Sequence, residues 1–310
     1  DTKDMLGPTV DFPDFFGADA PKTNNARMRN RGWELVLNYR GKIGKDIDYS
    51  IGGSLSDATA EVTEYEGTRT NPKDNWYKGK KAGEIWGYRA DGLIQTQAEA
   101  DEYNNTYDLS FISGKPWTPG DVKYRDLNGD KKINNGLNTL DDMGDMTVIG
   151  NTTPRYQYTI NGSISWKGVT VSAMFQGVGG AQALYVGKYM ALSDVEGNFN
   201  RSKEIMNAWS PSNTGSNIPR LSKNDPNSNF STPSDWYLEN ASYLRLKNFT
   251  VSYDLSDVIR KCAHLQERNS MMSVYLSGEN LFTITNYSGM DPETGGWDAL
   301  KYPVSRIFSV

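Results

Sequence analysis

Cysteine and histidine are nearly absent from the sequence, with Cys262 and His264 as the single representatives among 310 residues. A disulfide framework, a Cys/His zinc cluster and most Ser-His or Cys-His catalysis are therefore excluded. A basic surplus is also missing, because 33 Lys and Arg residues against 38 Asp and Glu residues give a net charge of −5. Without that surplus no binding surface for a phosphate backbone is expected, which argues against nucleic acid as a partner.

Long hydrophobic runs are missing too. No stretch approaches the roughly 18 consecutive apolar residues that a membrane-spanning helix requires. The first ten residues carry neither the basic nor the apolar region of a signal peptide. Membrane-spanning β-strands are not excluded, because each needs only about 9 to 11 residues of alternating polarity. A hydrophobic share of 37%, with 12% aromatic residues and 30 glycines, favours many strands and turns.

Apolar and polar residues alternate along six segments of the chain, which form three pairs. The segments are 31–40 and 46–57, 156–166 and 169–176, and 249–255 and 272–283. A period of two predicts β-strands with one apolar and one polar face. Short connections that contain glycine join the first two pairs, which predicts hairpins. The last segment alternates less regularly, because Tyr275 and Leu281 interrupt its polar face.

The connections within pairs are short, whereas those between pairs are long, polar and rich in Asn, Gly, Pro and Trp. This asymmetry is typical of an outer-membrane barrel, with short periplasmic turns and long extracellular loops. We therefore predict an all-β fold, an antiparallel transmembrane β-barrel whose apolar face meets outer-membrane lipid. The predicted sections are an extracellular loop segment (1–28), a barrel hairpin (29–60), a long extracellular loop (61–153), a second hairpin (154–178), a second long loop (179–235) and the final, truncated barrel strands (236–310).

The polar face of these strands is predicted to line the barrel interior. Its members include Glu34, Asn38, Arg40, Asn161, Glu279 and Asn280. Counting 304–310 as the start of a last strand gives about seven strands, and seven strands do not close. Bacterial single-chain barrels have even strand numbers from eight upward, and an open sheet leaves backbone groups unpaired in hydrocarbon. We therefore expect the chain to be a fragment of a longer polypeptide.

Six blocks of the sequence are similar to one known family. The blocks are APKTNNARMRNRGWEL (20–35), GEIWGYRADGLIQTQAE (83–99), PGDVKYRDLNGDKKI (119–133), VIGNTTPRYQY (148–158), SYLRLKNFTVSYDL (242–255) and GENLFTITNYSGMDPE (278–293). In this order, over nearly the whole chain, they resemble the C-terminal region of SusC/RagA-family TonB-linked outer-membrane transporters of the Bacteroidetes.

The resemblance implies a barrel of 22 strands, of which this chain would supply the last seven. It also implies an N-terminal plug and a TonB box upstream of Asp1. In that family a SusD- or RagB-like surface lipoprotein caps the barrel, and ligand is held between the two proteins. TonB then displaces the plug, and glycan or peptide enters the periplasm. No catalytic residue and no required cofactor follow from the resemblance.

One loop carries the spacing of a calcium site. Asp126, Asn128 and Asp130 stand at i, i+2 and i+4 of DLNGDKKIN. In calcium loops of the EF-hand type this spacing turns three side-chain oxygens toward one centre. The match is partial, because Lys131 stands where such loops carry Gly and Leu137 where they carry a bidentate Glu.

Asp142 and Asp145, in the acidic stretch that follows, would supply late ligands if the inserted residues fold back. The sequence is thus compatible with a structural Ca²⁺ that rigidifies an extracellular loop. It is equally compatible with a cluster of Asx turns, in which these side chains cap their own backbone, and both interpretations stay open.

The predicted loops are rich in tryptophan. Rings that would contact a ligand or a partner are those of Trp76, Trp86, Trp117, Trp209 and Trp297. Amphipathic rings offer large contact areas at low entropic cost, so they suit sugar stacking or a protein interface. The alternative, which also covers Tyr88 and Trp236, is that the rings pack the loops against one another.

A second hypothesis is a secreted soluble β-protein that binds or cleaves polysaccharide. It is motivated by three acidic residues close in sequence, Glu99, Asp101 and Glu102. Glycosidases place two carboxyl groups on either side of the scissile bond, a geometry that spacing in a sequence does not establish. These residues lie in the polar run AEADEYNN, which is typical of a solvated loop, so we do not expect an enzyme. A third hypothesis, a passive porin, requires a complete barrel without a plug.

Overall fold

The computed structural model describes residues 1–8, 17, 21–185, 203–262, 272–295, 302 and 304–310. Its strands are β1 (Thr2–Leu6), β2 (Asn24–Ile43), β3 (Ile47–Tyr65), β4 (Glu84–Tyr88), β5 (Ala90–Leu93), β6 (Val122–Tyr124), β7 (Met146–Asn151), β8 (Tyr156–Trp166), β9 (Val169–Gly179), β10 (Gln182–Leu184), β11 (Leu238–Asn240), β12 (Tyr243–Asp254), β13 (Ser273–Thr285) and β14 (Ile307–Ser309). Its helices are α1 (Gln97–Thr106) and α2 (Ser256–Cys262), and 3-10 turns cover Lys203–Asn207, Asp235–Tyr237 and Pro292–Thr294.

Eight of the strands form one antiparallel sheet, in the order β1-β2-β3-β8-β9-β12-β13-β14. The predicted all-β, antiparallel fold is thereby confirmed. The sheet has one strand more than the seven counted from the sequence, because β1 pairs with β2 inside the segment 1–28 that was assigned to a loop. β1 has only five residues, too few for an alternating pattern to be recognised.

β2 and β3 have 20 and 19 residues, about twice what a membrane crossing requires. Both strands therefore continue past the loop boundaries predicted at residues 28 and 60. Their pairing runs from Ala26 opposite Tyr65 to Ile43 opposite Ile47. The hairpin thus extends well beyond the thickness of a bilayer, with its open end on the side of the long loops.

The two faces of the sheet differ in chemistry. One face carries apolar side chains that are about half exposed or more, among them Trp33, Leu35, Leu37, Tyr39, Ile51, Ile160, Ile164 and Trp166. On the opposite face hydroxyl groups are hydrogen-bonded across strands, with 2.8 Å between Ser50 Oγ and Ser163 Oγ and 2.7 Å between Ser54 Oγ and Thr159 Oγ1. An exposed apolar face backed by a polar one is the arrangement expected of a barrel wall in lipid.

Aromatic residues stand at both ends of this apolar face. Tyr156 begins β8 and Trp166 ends it, 11 residues in all. At about 3.4 Å per residue they lie about 34 Å apart along the strand. A strand tilt of about 40° reduces this separation to about 25 Å, the height of the apolar band of outer-membrane barrels.

The short connections follow from local backbone chemistry. Lys167 and Gly168, between β8 and β9, both have positive φ, as a type I′ hairpin turn requires. Gly44 supplies the positive φ in the turn between β2 and β3. The connection from β12 to β13 is longer and contains α2; its residues 263–271, with His264, lie outside the described residues.

The hydrophobic core lies in the long connections, where β4 pairs with β7, β5 with β6, and β10 with β11. Two clusters of buried side chains form there. One gathers around Trp117 and Tyr124, the other around Tyr185 and Tyr237. Among the described residues no helix combines the length and apolar character needed to cross a membrane.

Gly177 of β9 provides a test of the packing on the sheet. A Cβ atom there would lie 2.5 Å from the Tyr158 ring and 2.5 Å from the backbone oxygen of Tyr243. We expect Gly177→Ala to lower the free energy of unfolding of the full-length protein by about 1 to 3 kcal/mol, because the crowded ring and strand have to shift.

The matched control is Gly179→Ala, two residues further along the same strand, where the nearest atom to an added Cβ is at 3.6 Å. Its unfolding free energy is expected to stay within about 0.5 kcal/mol of the wild-type value. Denaturant titration of the detergent-solubilised protein gives both values, and equal effects of the two substitutions would contradict this account.

Candidate functional site: the extracellular loop assembly

The first long connection folds around α1 and the paired strands β5 and β6. Thr96 caps the N-terminus of α1 by accepting a hydrogen bond from Glu99 N–H, 3.2 Å long. The helix buries Ala100 and Tyr103, and the Tyr103 hydroxyl donates to the backbone oxygen of Tyr124 at 2.8 Å. This loop therefore has a packed core of its own.

Asp121 joins the first long connection to the second. Its fully buried carboxylate accepts hydrogen bonds from Arg220 Nε at 2.6 Å, Asn227 Nδ2 at 2.6 Å and Asn229 Nδ2 at 2.8 Å. It also accepts from the backbone N–H of Thr118 at 2.8 Å. A buried carboxylate is stable only when it is paired and hydrogen-bonded in this way. Asp121 thus holds segments about a hundred residues apart in one body.

Asp225 lies beside this network. Its carboxylate accepts from the backbone N–H groups of Asn229 at 2.9 Å and Phe230 at 2.8 Å. Burial raises the pKa of the Asp225 carboxyl, against the opposite effect of these hydrogen bonds. The Tyr237 hydroxyl donates to the backbone oxygen of Asn229, which links the network to the second hydrophobic cluster.

The structure places two of the predicted tryptophans in the loop core. Trp117 is 1% exposed, and its Nε1 donates to the backbone oxygen of Val122 at 2.8 Å. Trp209 is also buried and donates to Gln95 Oε1 at 3.0 Å. Both rings therefore contribute to loop packing, the alternative given above, and do not present a surface to ligand.

The other three tryptophans are less buried or undescribed. Trp76 is half-buried beside Tyr65, with 6.5 Å between ring centroids, and Trp86 meets Tyr77 edge-on at 6.2 Å. A ligand or partner contact of Trp76 and Trp86 stays a prediction. Trp297 lies outside the described residues.

The loop with calcium-site spacing forms a series of Asx turns. Asp126 accepts from the backbone N–H groups of Gly129 at 2.7 Å and Lys131 at 3.0 Å, and Asn128 accepts from Asp130 N–H at 3.0 Å. Lys131 has φ of +62°, the conformation that glycine usually supplies in a calcium loop.

The two late ligands of the predicted site lie against the same loop. Asp145 is fully buried and accepts from the N–H groups of Leu127 at 2.7 Å and Asn134 at 3.0 Å, while Asp142 accepts from Leu137 N–H at 3.2 Å. No group of three or more His, Cys, Asp and Glu side chains in the described part of the chain is arranged to hold a metal ion. These contacts fit the Asx-turn alternative, and the calcium site stays a prediction.

A polar cleft of about 370 Å³ lies between α1 and the paired strands β5 and β6, and Glu99 and Glu102 are among the residues that line it. Glu99 is ion-paired with Lys123 at 2.7 Å. Burial raises the pKa of the Glu99 carboxyl, but hydrogen bonds from Gln95 N–H and Lys123 lower it more, so the net shift is downward. A glycosidase acid needs a raised pKa, which Glu99 lacks. Asp101 accepts instead from the Gln97 side chain at 2.8 Å.

Removing the charge of Asp121 tests whether it unites the loops. Asp121→Asn leaves the guanidinium of Arg220 without its carboxylate, so we expect the loop assembly of the full-length protein to lose about 3 kcal/mol of stability. The control is Asp101→Asn on the exposed face of α1, which should change stability by less than about 0.5 kcal/mol. Protease resistance of the loops is the measurement, and equal resistance of the two variants would contradict the assignment.

Asp225 gives a pH dependence with a defined sign. A carboxyl group whose pKa is raised by folding stabilises the fold below its unfolded pKa, and this contribution is lost as the pH rises through the folded pKa. The stability of the wild-type loops relative to Asp225→Asn should therefore fall as the pH rises from about 4. Proteolysis half-lives of both proteins across a pH series measure this difference, and a difference that is independent of pH would contradict it.

No family model matches the sequence. Among curated proteins, TonB-dependent receptor P3 of Formosa agariphila is 25% identical over 334 residues, which cover 100% of this chain and 31% of that protein. TonB-dependent receptor SusC of Bacteroides thetaiotaomicron is 34% identical over 76 residues, 24% of this chain and 7% of that protein. Apart from that short SusC match, the chain spans about a third of the length of the curated relatives it matches.

The solved structure of the RagAB peptide transporter has the same fold. It superposes on 99% of this chain with a TM-score of 0.67 and 23% identity, and the match covers 31% of that chain. The RagAB importer in its open-open state gives a TM-score of 0.65 over 95% of this chain. The predicted resemblance is thus confirmed: the chain is similar along its whole length to a TonB-dependent receptor and over 76 residues to SusC, has the fold of part of the RagAB transporter, and lies in the bacterial outer membrane.

Proposed function

We propose that the chain is part of the barrel of a TonB-dependent outer-membrane transporter that imports oligosaccharides or peptides together with a SusD-like surface lipoprotein. The observation that carries this proposal is the sheet itself. Its apolar face is exposed, its polar face is internally hydrogen-bonded, and its long connections form a packed body at one end. An apolar outer face, a polar inner face and long extracellular connections are together typical of outer-membrane barrels that admit hydrated solutes.

The edges of the sheet support a larger barrel. Within the described residues β1 pairs only with β2, and β14 only with β13. Each unpaired backbone group in hydrocarbon costs several kcal/mol, so both edges require further strands. Relatives about three times as long as the alignment have room for those strands and for domains that couple to TonB.

The ligand class is proposed from the relatives. SusC and the RagAB peptide transporter are the named neighbours, and RagAB carries peptides by name. A polar inner wall suits both oligosaccharides and peptides, because serine, threonine and asparagine side chains exchange hydrogen bonds with hydroxyl and amide groups alike.

The loops also offer a surface for a lipoprotein partner. Phe111 is 56% exposed and Leu137 is 76% exposed, and both line a cleft of about 380 Å³. Leu127 and Leu140 are exposed in the same long connection. Exposed apolar groups surrounded by polar loops are typical of a protein interface.

Two substitutions in this cleft test the partner. In the full-length protein, Phe111→Ser with Leu137→Ser should weaken capture of the lipoprotein about tenfold or more, since central apolar contacts carry about 1 to 3 kcal/mol each. Val258→Ser, an exposed position on α2 near the short connections, is the control and should leave capture unchanged. Equal capture by both variants would contradict the assigned surface.

The transport proposal is tested on the full-length protein in intact cells. We expect it to require detergent for extraction, to co-purify with a surface lipoprotein, and to support uptake of oligosaccharide or peptide that stops when TonB is removed. Extraction without detergent would favour the soluble polysaccharide-binding protein instead. Uptake that continues without TonB would favour the passive porin.

A further inference from the structure

Arg245 is a buried cation on the inner face of the barrel wall. It lies on β12, opposite Gln176 of β9 and Thr283 of β13. Both of these residues belong to the polar face of the sheet, so Arg245 points to that face as well. Its Nε donates to Thr283 Oγ1 at 2.9 Å. At 2% exposure it is far more covered than the outward-facing Ile284, which is 61% exposed on the neighbouring strand. Whatever covers Arg245 therefore lies on the inner side.

The cover is the segment that follows β13. Asp291 Oδ1 accepts from Arg245 Nη2 at 2.9 Å, and Glu293 Oε1 accepts from Nη1 at 2.9 Å. Asp291 is itself buried and caps the turn Pro292–Thr294 through Glu293 N–H at 2.9 Å. One guanidinium fork thus fixes both carboxylates of a turn that is already rigid.

Two further contacts hold the same segment. The Tyr287 ring packs against Tyr185 in the second hydrophobic cluster, with 5.2 Å between centroids. The Ser288 backbone N–H and hydroxyl donate to the Glu239 carboxylate at 2.8 and 2.7 Å. Residues 286–295 are therefore attached both to the loop assembly and to the inner wall.

We propose that Arg245 is a positioning residue that holds residues 286–295 inside the extracellular mouth of the barrel, where the segment narrows the path of ligand. That a ligand passes this point rests on the proposed transport function. The position of the segment rests only on the contacts described above. It also accounts for two blocks of the sequence, SYLRLKNF and GMDPE, whose charged residues meet here.

An ion pair suits this task better than an apolar contact would. Hydrogen bonds from a planar guanidinium fix direction as well as distance, so the segment has one favoured position. Loss of either partner leaves the other charge buried without compensation, which makes release of the segment the expected response to substitution.

The position of the segment is measured with two spin labels on the full-length protein in membranes. One label replaces Met290, within the segment, and the other replaces Asn30, on the inner side of β2 near its extracellular end. Wild-type protein should give a narrow distance distribution between them. Arg245→Met should broaden it at least twofold, and Arg245→Lys, which keeps the charge but not the fork, should lie between the two.

A second label pair in the short turns, at Lys45 and Lys167, reports on the barrel itself and should be unchanged in every variant. Where Arg245→Met does not fold, Asp291→Asn replaces it, with a smaller broadening expected because the pair with Glu293 remains. A distribution as narrow as that of wild type, or equal broadening of both label pairs, would overturn the proposal. These distances do not depend on uptake, so failure of transport alone would overturn the proposed function and leave this inference standing.

Discussion

Every backbone N–H and C=O group within hydrocarbon has to find its partner inside the protein. The large sheet meets this constraint strand by strand, and the alternation of its side chains follows from it. Along each strand, every second residue faces lipid and is apolar, such as Leu37. The residues between them, such as Asn38, face the interior. With its hydrophobic surface turned outward, the wall has no core of its own. The core is displaced into the loops, where Trp117 and Tyr237 are buried.

Buried charge organises those loops. Asp121 with Arg220 unites the first two long connections, and Arg245 with Asp291 ties the last one to the wall. In both cases a guanidinium lies between segments that are distant in sequence. Directional pairs of this kind give long polar connections a defined position, which hydrophobic contacts alone specify less sharply. The same arrangement places the loops around the mouth of the barrel, where the proposed ligand and lipoprotein would meet them.

The sequence predicted the wall far better than the loops. A period of two is a local signal, so β2, β3, β8, β9 and β12 could be recognised from their own residues. β1 could not, because five residues are too few to show an alternating pattern and its position is defined by its pairing with β2. The hydrogen bonds of Asp121 with Asn229 and of Arg245 with Asp291 join residues that are 108 and 46 positions apart. Strict alternation would even place Arg245 with Phe249 and Val251 on the outer face, because the bulge between Leu246 and Asn248 that brings it to the inner face leaves no sign in the sequence.

The central claim is that one face of the sheet meets lipid and the other meets the barrel interior. Nitroxide labels placed one at a time at residues 35 to 39 of the full-length protein, in membranes, test it most directly. Collision with dissolved oxygen should peak at Leu35, Leu37 and Tyr39, and collision with a water-soluble nickel chelate at Val36 and Asn38. Val36 is decisive, because its apolar character alone would assign it to lipid whereas its register assigns it to the interior. Equal accessibility at all five positions, or lipid exposure at Val36, would contradict the account.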